Sequence, residues 1–119
     1  KQGFILLPFS FVLLFVIAYV ATPAREDLSG GAKVSFAKVQ TIIESRCASC
    51  HAAKPTNEDF DTPPKGVKLE TVAQIVREKT RIRQQTVDTN TMPLGNMTEM
   101  TKEERLLLGR WIAQGASTE

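Results

Sequence analysis

Cys47, Ala48, Ser49, Cys50 and His51 follow one another in the chain, and Cys-X-X-Cys-His is the spacing through which a polypeptide attaches a c-type haem. Two thiols a helical turn apart add to the two vinyl groups of the porphyrin, and the adjacent imidazole then lies under the iron as its proximal axial ligand. Electron transfer is the chemistry this pattern predicts. Two other uses of the same residue types fit less well. Structural zinc takes four ligands, commonly as two separated pairs. Cys47 and Cys50 are the only cysteines and His51 the only histidine, so a zinc ion would have to complete its shell with a carboxylate. A thioredoxin-like Cys-X-X-Cys needs strands alternating with helices around it, whereas the flanks here read as helix, loop and helix.

A six-coordinate electron-transfer haem requires a second axial ligand, and with His51 used the candidates are thioethers. The methionines are Met92, Met97 and Met100. Met92 is the expected ligand, because Pro93 follows it within the non-helical run from Asn90 to Met97, and a proline stiffens such a loop so that the thioether has less entropy to lose. Met97 and Met100 stay open as alternatives, and either also suits ordinary packing, since methionine is a common gap filler. The expected site is therefore one covalent haem c held by Cys47 and Cys50, its iron ligated by His51 and Met92. With both axial positions filled, oxygen or peroxide finds no open position. A one-electron carrier is expected, not an enzyme or a gas sensor, and thioether ligation favours ferrous iron and a positive potential.

These residues need elements to position them. Residues 1–22 are expected to form a single transmembrane anchor helix. From Phe4 to Ala21 the chain carries no charge, and at about 1.5 Å per residue the run covers roughly 27 Å, close to the hydrocarbon thickness of a bilayer. Pro8 falls in the first turns, where few backbone bonds are lost, and Tyr19 falls near the far end, where an amphipathic ring favours the interface. A cleaved signal peptide also begins with a basic residue and an apolar run, but this run is longer than a usual signal core, so a retained anchor is expected. Residues 23–34, with several charges and Gly30-Gly31, have linker composition. Residues 35–119 form one small domain, of a size at which a haem would serve as core as well as redox centre.

Within that domain a first helix is expected from Ser35 as N-cap, through Phe36, Val39, Ile42 and Ile43 on one face, into the haem motif. Ala53 to Gly66, rich in proline and turn formers, is expected as an irregular loop. Leu69 to Val87 has Val72, Ile75, Val76, Ile82, Thr86 and Val87 at helical spacing, which predicts one amphipathic helix. A final helix opens at the capping box Thr101 to Glu104, carries Leu106, Leu107, Leu108, Trp111 and Ile112, and stops at Gly115. No strand signal competes, so the fold class is all-α.

The order helix, Cys-X-X-Cys-His, loop, helix, Met-Pro loop and terminal helix with Trp111 resembles the class I cytochrome c family over nearly all of the soluble part. The resemblance implies a cytochrome c-like helical domain around one haem, in which the first and last helices cross. That would bring Phe36, Val39 and Ile43 toward Leu107, Leu108 and Trp111. Ala48 to Thr56, Pro63 to Val67, Thr91 to Asn96 and the Thr101 to Trp111 stretch are similar to the cytochrome c domain that ends bacterial membrane-bound urate hydroxylases. There a multi-span domain oxidises urate and the cytochrome carries electrons away. Only one span precedes the motif here, so the resemblance implies either the tail of a longer oxidoreductase or a small separate cytochrome.

Charge adds little. The formal net charge of +2 would be roughly cancelled by two ionised haem propionates. Arg77, Lys79, Arg81 and Arg83 offer a basic patch for an acidic partner or for the propionates, or simply a solvated helix face. Nucleic-acid binding has no support, since interleaved aromatics and a strongly basic balance are both missing. Covalent haem attachment takes place on the outer side of an energy-transducing membrane. The expected location is thus the inner membrane, single-pass, with the haem domain on the periplasmic side, and the expected partners are the lipid bilayer and other redox subunits of a membrane complex.

Overall fold

A computed structural model gives the backbone of residues 3–21 and 27–119, and the side chains of residues 8–21 and 27–119. The ends of the expected anchor, residues 1–2 and 22, and the first part of the expected linker, residues 23–26, lie outside the described residues. The described residues are all-α with no strand among them: α1 (Gly3–Ala21), α2 (Phe36–Arg46), α3 (Val72–Arg77), α4 (Lys79–Ile82), a π-helical turn (Arg83–Asp88) and α5 (Lys102–Ala113). Short 3-10 turns occupy Pro64–Gly66 and Leu94–Asn96.

The core is a crossing of α2 and α5. On α2 the expected face is the buried one, with Phe36, Val39, Ile42 and Ile43 all below a tenth exposed. Leu108 and Trp111 of α5 meet it, and the Phe36 and Trp111 rings pack at 5.8 Å between centroids and 47° between planes. A tilted pair of this kind contributes about 0.5–1.5 kcal/mol beyond the area it buries. The indole N–H of Trp111 donates to the Ser117 carbonyl at 2.7 Å, so no polar atom is stranded in burying the ring. The capping box of α5 forms as expected: Glu104 N–H donates to Thr101 Oγ1 at 3.2 Å and Thr101 N–H to Glu104 Oε2 at 2.8 Å. Ser35 does stand at the N-cap of α2, but its hydroxyl makes no cap bond.

The expected single helix from Leu69 to Val87 is interrupted. It begins at Val72 behind a second capping box, Thr71 with Gln74, breaks at Glu78 where ψ rises to 4°, and ends in the π-helical turn. One cause of that wider turn is local. The Thr86 hydroxyl donates to the Ile82 carbonyl at 2.7 Å, crowding the acceptor that an α-helical N–H would use. Ile75, Ile82 and Thr86 are buried, whereas Val72, the first residue of α3, is 45% exposed at the capped end.

The described part of the linker is not free chain. Val34 is buried, its N–H donates to Gln114 Oε1 at 3.0 Å, and Gln114 Nε2 donates to the Ala32 carbonyl at 3.2 Å. Leu28 sits on Gly109 so closely that a Cβ there would lie 2.5 Å from Leu28 Cδ1. Gly31 passes over the Arg110 guanidinium with φ +90°, a left-handed conformation that suits glycine. Residues 28–34 are therefore a strap along α5, because Leu28 and Val34 supply apolar anchors among polar neighbours.

In α1, the large apolar side chains from Phe9 to Val20 stand 52–80% exposed and Tyr19 85%, with Pro8 inside the helix. Among the described residues no helix is long and apolar enough to cross a membrane. The described side chains of α1 start at Pro8, and residues 8–21 alone cover about 21 Å.

Candidate functional site

The end of α2 delivers the chemistry. Its hydrogen-bond ladder runs past Arg46, with Cys47 N–H donating to the Ile43 carbonyl at 2.9 Å. Cys50 and His51 N–H groups then donate to the Cys47 carbonyl at 3.2 and 2.9 Å. This turn stacks Cys47 and Cys50 about one helical step apart and sets His51 directly after them. Neither cysteine is in a disulfide; Cys47 is buried and Cys50 half-buried. Burial pushes the Cys47 thiol up to about 12, the neighbouring Cys50 adding to the shift and Arg105 opposing it. A redox-active Cys-X-X-Cys needs the opposite, a thiol acidified enough to attack as thiolate.

His51 is held in one orientation. Its Nδ1 lies 3.0 Å from the Val67 carbonyl, and a carbonyl only accepts, so Nδ1 carries the hydrogen. In the neutral ring the lone pair is then on Nε2. The Leu69 N–H donates to the His51 carbonyl at 2.8 Å, so ring and backbone are both tied to the 67–69 segment. This is the arrangement by which an outer partner orients a ligating imidazole and raises its basicity.

Cys47, Cys50 and His51 line one cleft with Phe60 and Pro64 of the following loop and with Met92, Pro93, Leu94 and Met97. All four expected site residues are thus brought together. The cleft encloses about 140 Å³ inside a wider concavity of about 600 Å³ open to solvent, and its lining is almost wholly apolar. The enclosed volume is below the range of roughly 300–1,000 Å³ usual for cofactor pockets, so a large group seated here would extend into the open concavity. A thioether-linked porphyrin fits this donor set: two thiols, an imidazole with a free Nε2, a thioether from another segment, and apolar walls. Among the described residues no group of three or more His, Cys, Asp and Glu is placed to hold a metal ion.

The other methionines separate. Met97 lines the same cleft, but it is 47% exposed and its Sδ accepts from Asn57 Nδ2 at 3.5 Å. Met100 is 4% exposed and packs in the core, its N–H and carbonyl both bound by the Asn96 side chain. None of Arg77, Lys79, Arg81 and Arg83 lines the cleft. Arg77 and Arg81 pair with Glu78 at 3.4 and 3.0 Å, and Arg83 with Asp88 at 3.4 Å, so much of that charge is neutralised within its own helix.

Two arginines that the sequence pattern does not single out brace the site. The Arg46 guanidinium grips Glu104 with contacts of 3.0–3.1 Å and donates to the Thr98 carbonyl, while the Thr98 hydroxyl donates back to the Arg46 carbonyl at 2.9 Å. Arg105 Nη1 donates to the carbonyls of Thr86 and Met92, both at 2.6 Å. The only sequence signal for the pair is position: Arg46 adjoins Cys47, and Arg105 follows the capping glutamate of α5.

Comparison with protein-family models, with curated proteins and with solved structures finds no match for this chain.

Proposed function

We propose that this chain is a membrane-anchored monohaem c-type cytochrome that carries one electron at a time within a membrane redox complex. The observation that carries it is the convergence of Cys47, Cys50, His51 and Met92 on one apolar cleft, with His51 held in the tautomer that leaves Nε2 free. A haem bound there supplies reversible one-electron exchange at its iron. Cys47 and Cys50 would hold it as thioethers, and His51 Nε2 and the Met92 thioether would ligate its iron. The apolar walls would lower the local polarity around it, and with both ligands in place small molecules would find no open position. The α1 helix is apolar on every described side and its backbone extends through 19 residues, about 28 Å, which supports its role as the membrane anchor. The haem domain then faces the periplasmic side of the energy-transducing membrane, where such haems are attached.

Haem staining of a denaturing gel should leave the stain on this polypeptide, and loss of the haem into acidified acetone from the intact protein would overturn the attachment. In the ferric protein, Met92→Ala should remove the sulfur-to-iron absorption band at the red end of the spectrum. The potential should also fall, within the roughly 0.8 V range that axial ligation spans. Loss of the band in Met97→Ala, with Met92→Ala unchanged, would move the ligand to Met97.

A further inference from the structure

We infer that Arg105 is the positioning residue for the Met92 thioether, an inference that rests on the haem-carrier reading above. Met92 is held through its own backbone on both sides. Its N–H donates to the Gln85 carbonyl at 2.8 Å, and its carbonyl accepts from Arg105 Nη1 at 2.6 Å. The same Nη1 donates to the Thr86 carbonyl at 2.6 Å, and Nη2 reaches Asn96 Oδ1 at 3.1 Å. Gln85 and Thr86 belong to the π-helical turn, so one guanidinium fastens that turn, the start of the methionine loop and its far bend to α5. Asn96, at φ 51°, passes the constraint on, since its side chain binds both backbone groups of Met100.

The contacts suit arginine for a stated reason. A planar fork can serve two carbonyls and an amide oxygen at once, and a charged donor makes each bond stronger than a neutral one would be. Asn90 to Met97 contains no α-helical segment of its own, so its order comes from such side-chain bonds. A thioether is a weak ligand, and holding its loop in advance removes an entropic cost that ligation would otherwise bear. Loosening Arg105 should therefore open the second axial position to added ligands, while leaving Cys47, Cys50 and His51 in place.

The test is imidazole titration of the haem-loaded full chain in detergent, for the unmodified protein, Arg105→Gln, Met92→Ala and the double variant, with thermal unfolding measured alongside. Arg105→Gln should bind imidazole about tenfold more tightly, the effect of losing roughly one charged hydrogen bond. Arg105→Lys should fall between, since an ammonium can reach the carbonyls but cannot make the fork to Asn96. In the Met92→Ala background, Arg105→Gln should add less than about twofold, because the group it positions is gone. An equal gain in both backgrounds, or no gain in either, would overturn the inference and leave Arg105 a general stabiliser. If Arg105→Gln fails to fold, Arg105→Lys decides by the same titration in the same two backgrounds. A Met92→Ala protein with unchanged imidazole affinity and an intact sulfur-to-iron band would sink the ligand assignment itself, and the role of Arg105 with it.

Discussion

His51 owes its orientation to the Val67 carbonyl, and that single contact marks the limit of what residue types reveal. The motif from Cys47 to His51 was legible because its side chains and their spacing are distinctive in the sequence itself. Val67 was not, because any residue carries a carbonyl. The same holds for Arg105, whose acceptors Thr86 and Met92 act through their backbones. Glu104 shows how such a brace responds to pH. Burial opposes its ionisation, but hydrogen bonds from Arg46 and from the Thr101 N–H, with the charges of Arg46 and Arg105, outweigh that and hold its pKa below the ordinary value of 4.5. The folded state thus binds this proton less tightly than the unfolded chain. Its stabilisation is complete above the ordinary value and is lost as pH falls through the lowered one. Thermal unfolding of the loaded protein between about pH 6 and 3 should show a shallower acid-side loss in Glu104→Gln. An unchanged slope would mean that the Arg46 contact contributes nothing to stability.

Among elements, α2 and α5 were legible from periodicity and caps, since each buries one clear face. The segment from Leu69 to Val87 kept its periodicity but not its continuity, because a break at Glu78 and a hydroxyl back-bond from Thr86 leave the apolar pattern nearly intact. The docking of residues 28–34 was not legible from composition, because glycine and charge mask two apolar residues, Leu28 and Val34, that pack it along α5. Gly109 tests how tightly. A methyl group there would stand 2.5 Å from Leu28 Cδ1 and 3.1 Å from Val87 Cγ1. The first is the movable end of a side chain and the second belongs to a stiff β-branched one. Gly109→Ala should therefore displace the strap at a cost of about 1 kcal/mol, and Gly109→Val should cost about 2–3 kcal/mol. Leu28→Ala combined with Gly109→Ala should recover part of the loss in thermal unfolding. Strict additivity of the two would show that Leu28 does not pack on Gly109 in solution.

At the scale of the molecule, docking of the strap shortens the tether. Only residues 22–26 separate α1 from Asp27, and that stretch of chain reaches at most about 20 Å. On the proposed anchoring, a head held so close to the membrane would meet partners in the same assembly at high effective concentration and would need only a weak docking surface. Rapid mixing should find the haem reduced and reoxidised at the turnover rate of that assembly. A Gly/Ser insertion of about 20 residues within 22–26 should slow the exchange about tenfold, by the −3/2 power of tether length. A haem that stays in one oxidation state during turnover would rule out the relay, whatever its ligands.

Helix α5 also imposes an order of events on the making of the protein. It carries Trp111 for the core, Gly109 for the strap, Glu104 for Arg46 and Arg105 for the methionine loop, and it is synthesised some fifty residues after the cysteines. Until it emerges, the methionine loop lacks the Arg105 hydrogen bonds that tie it to α5. In the finished fold Cys47 is buried and Cys50 half-buried. On the proposed haem-carrier reading, addition at Cys47 is therefore expected to be easier before α5 docks than after it.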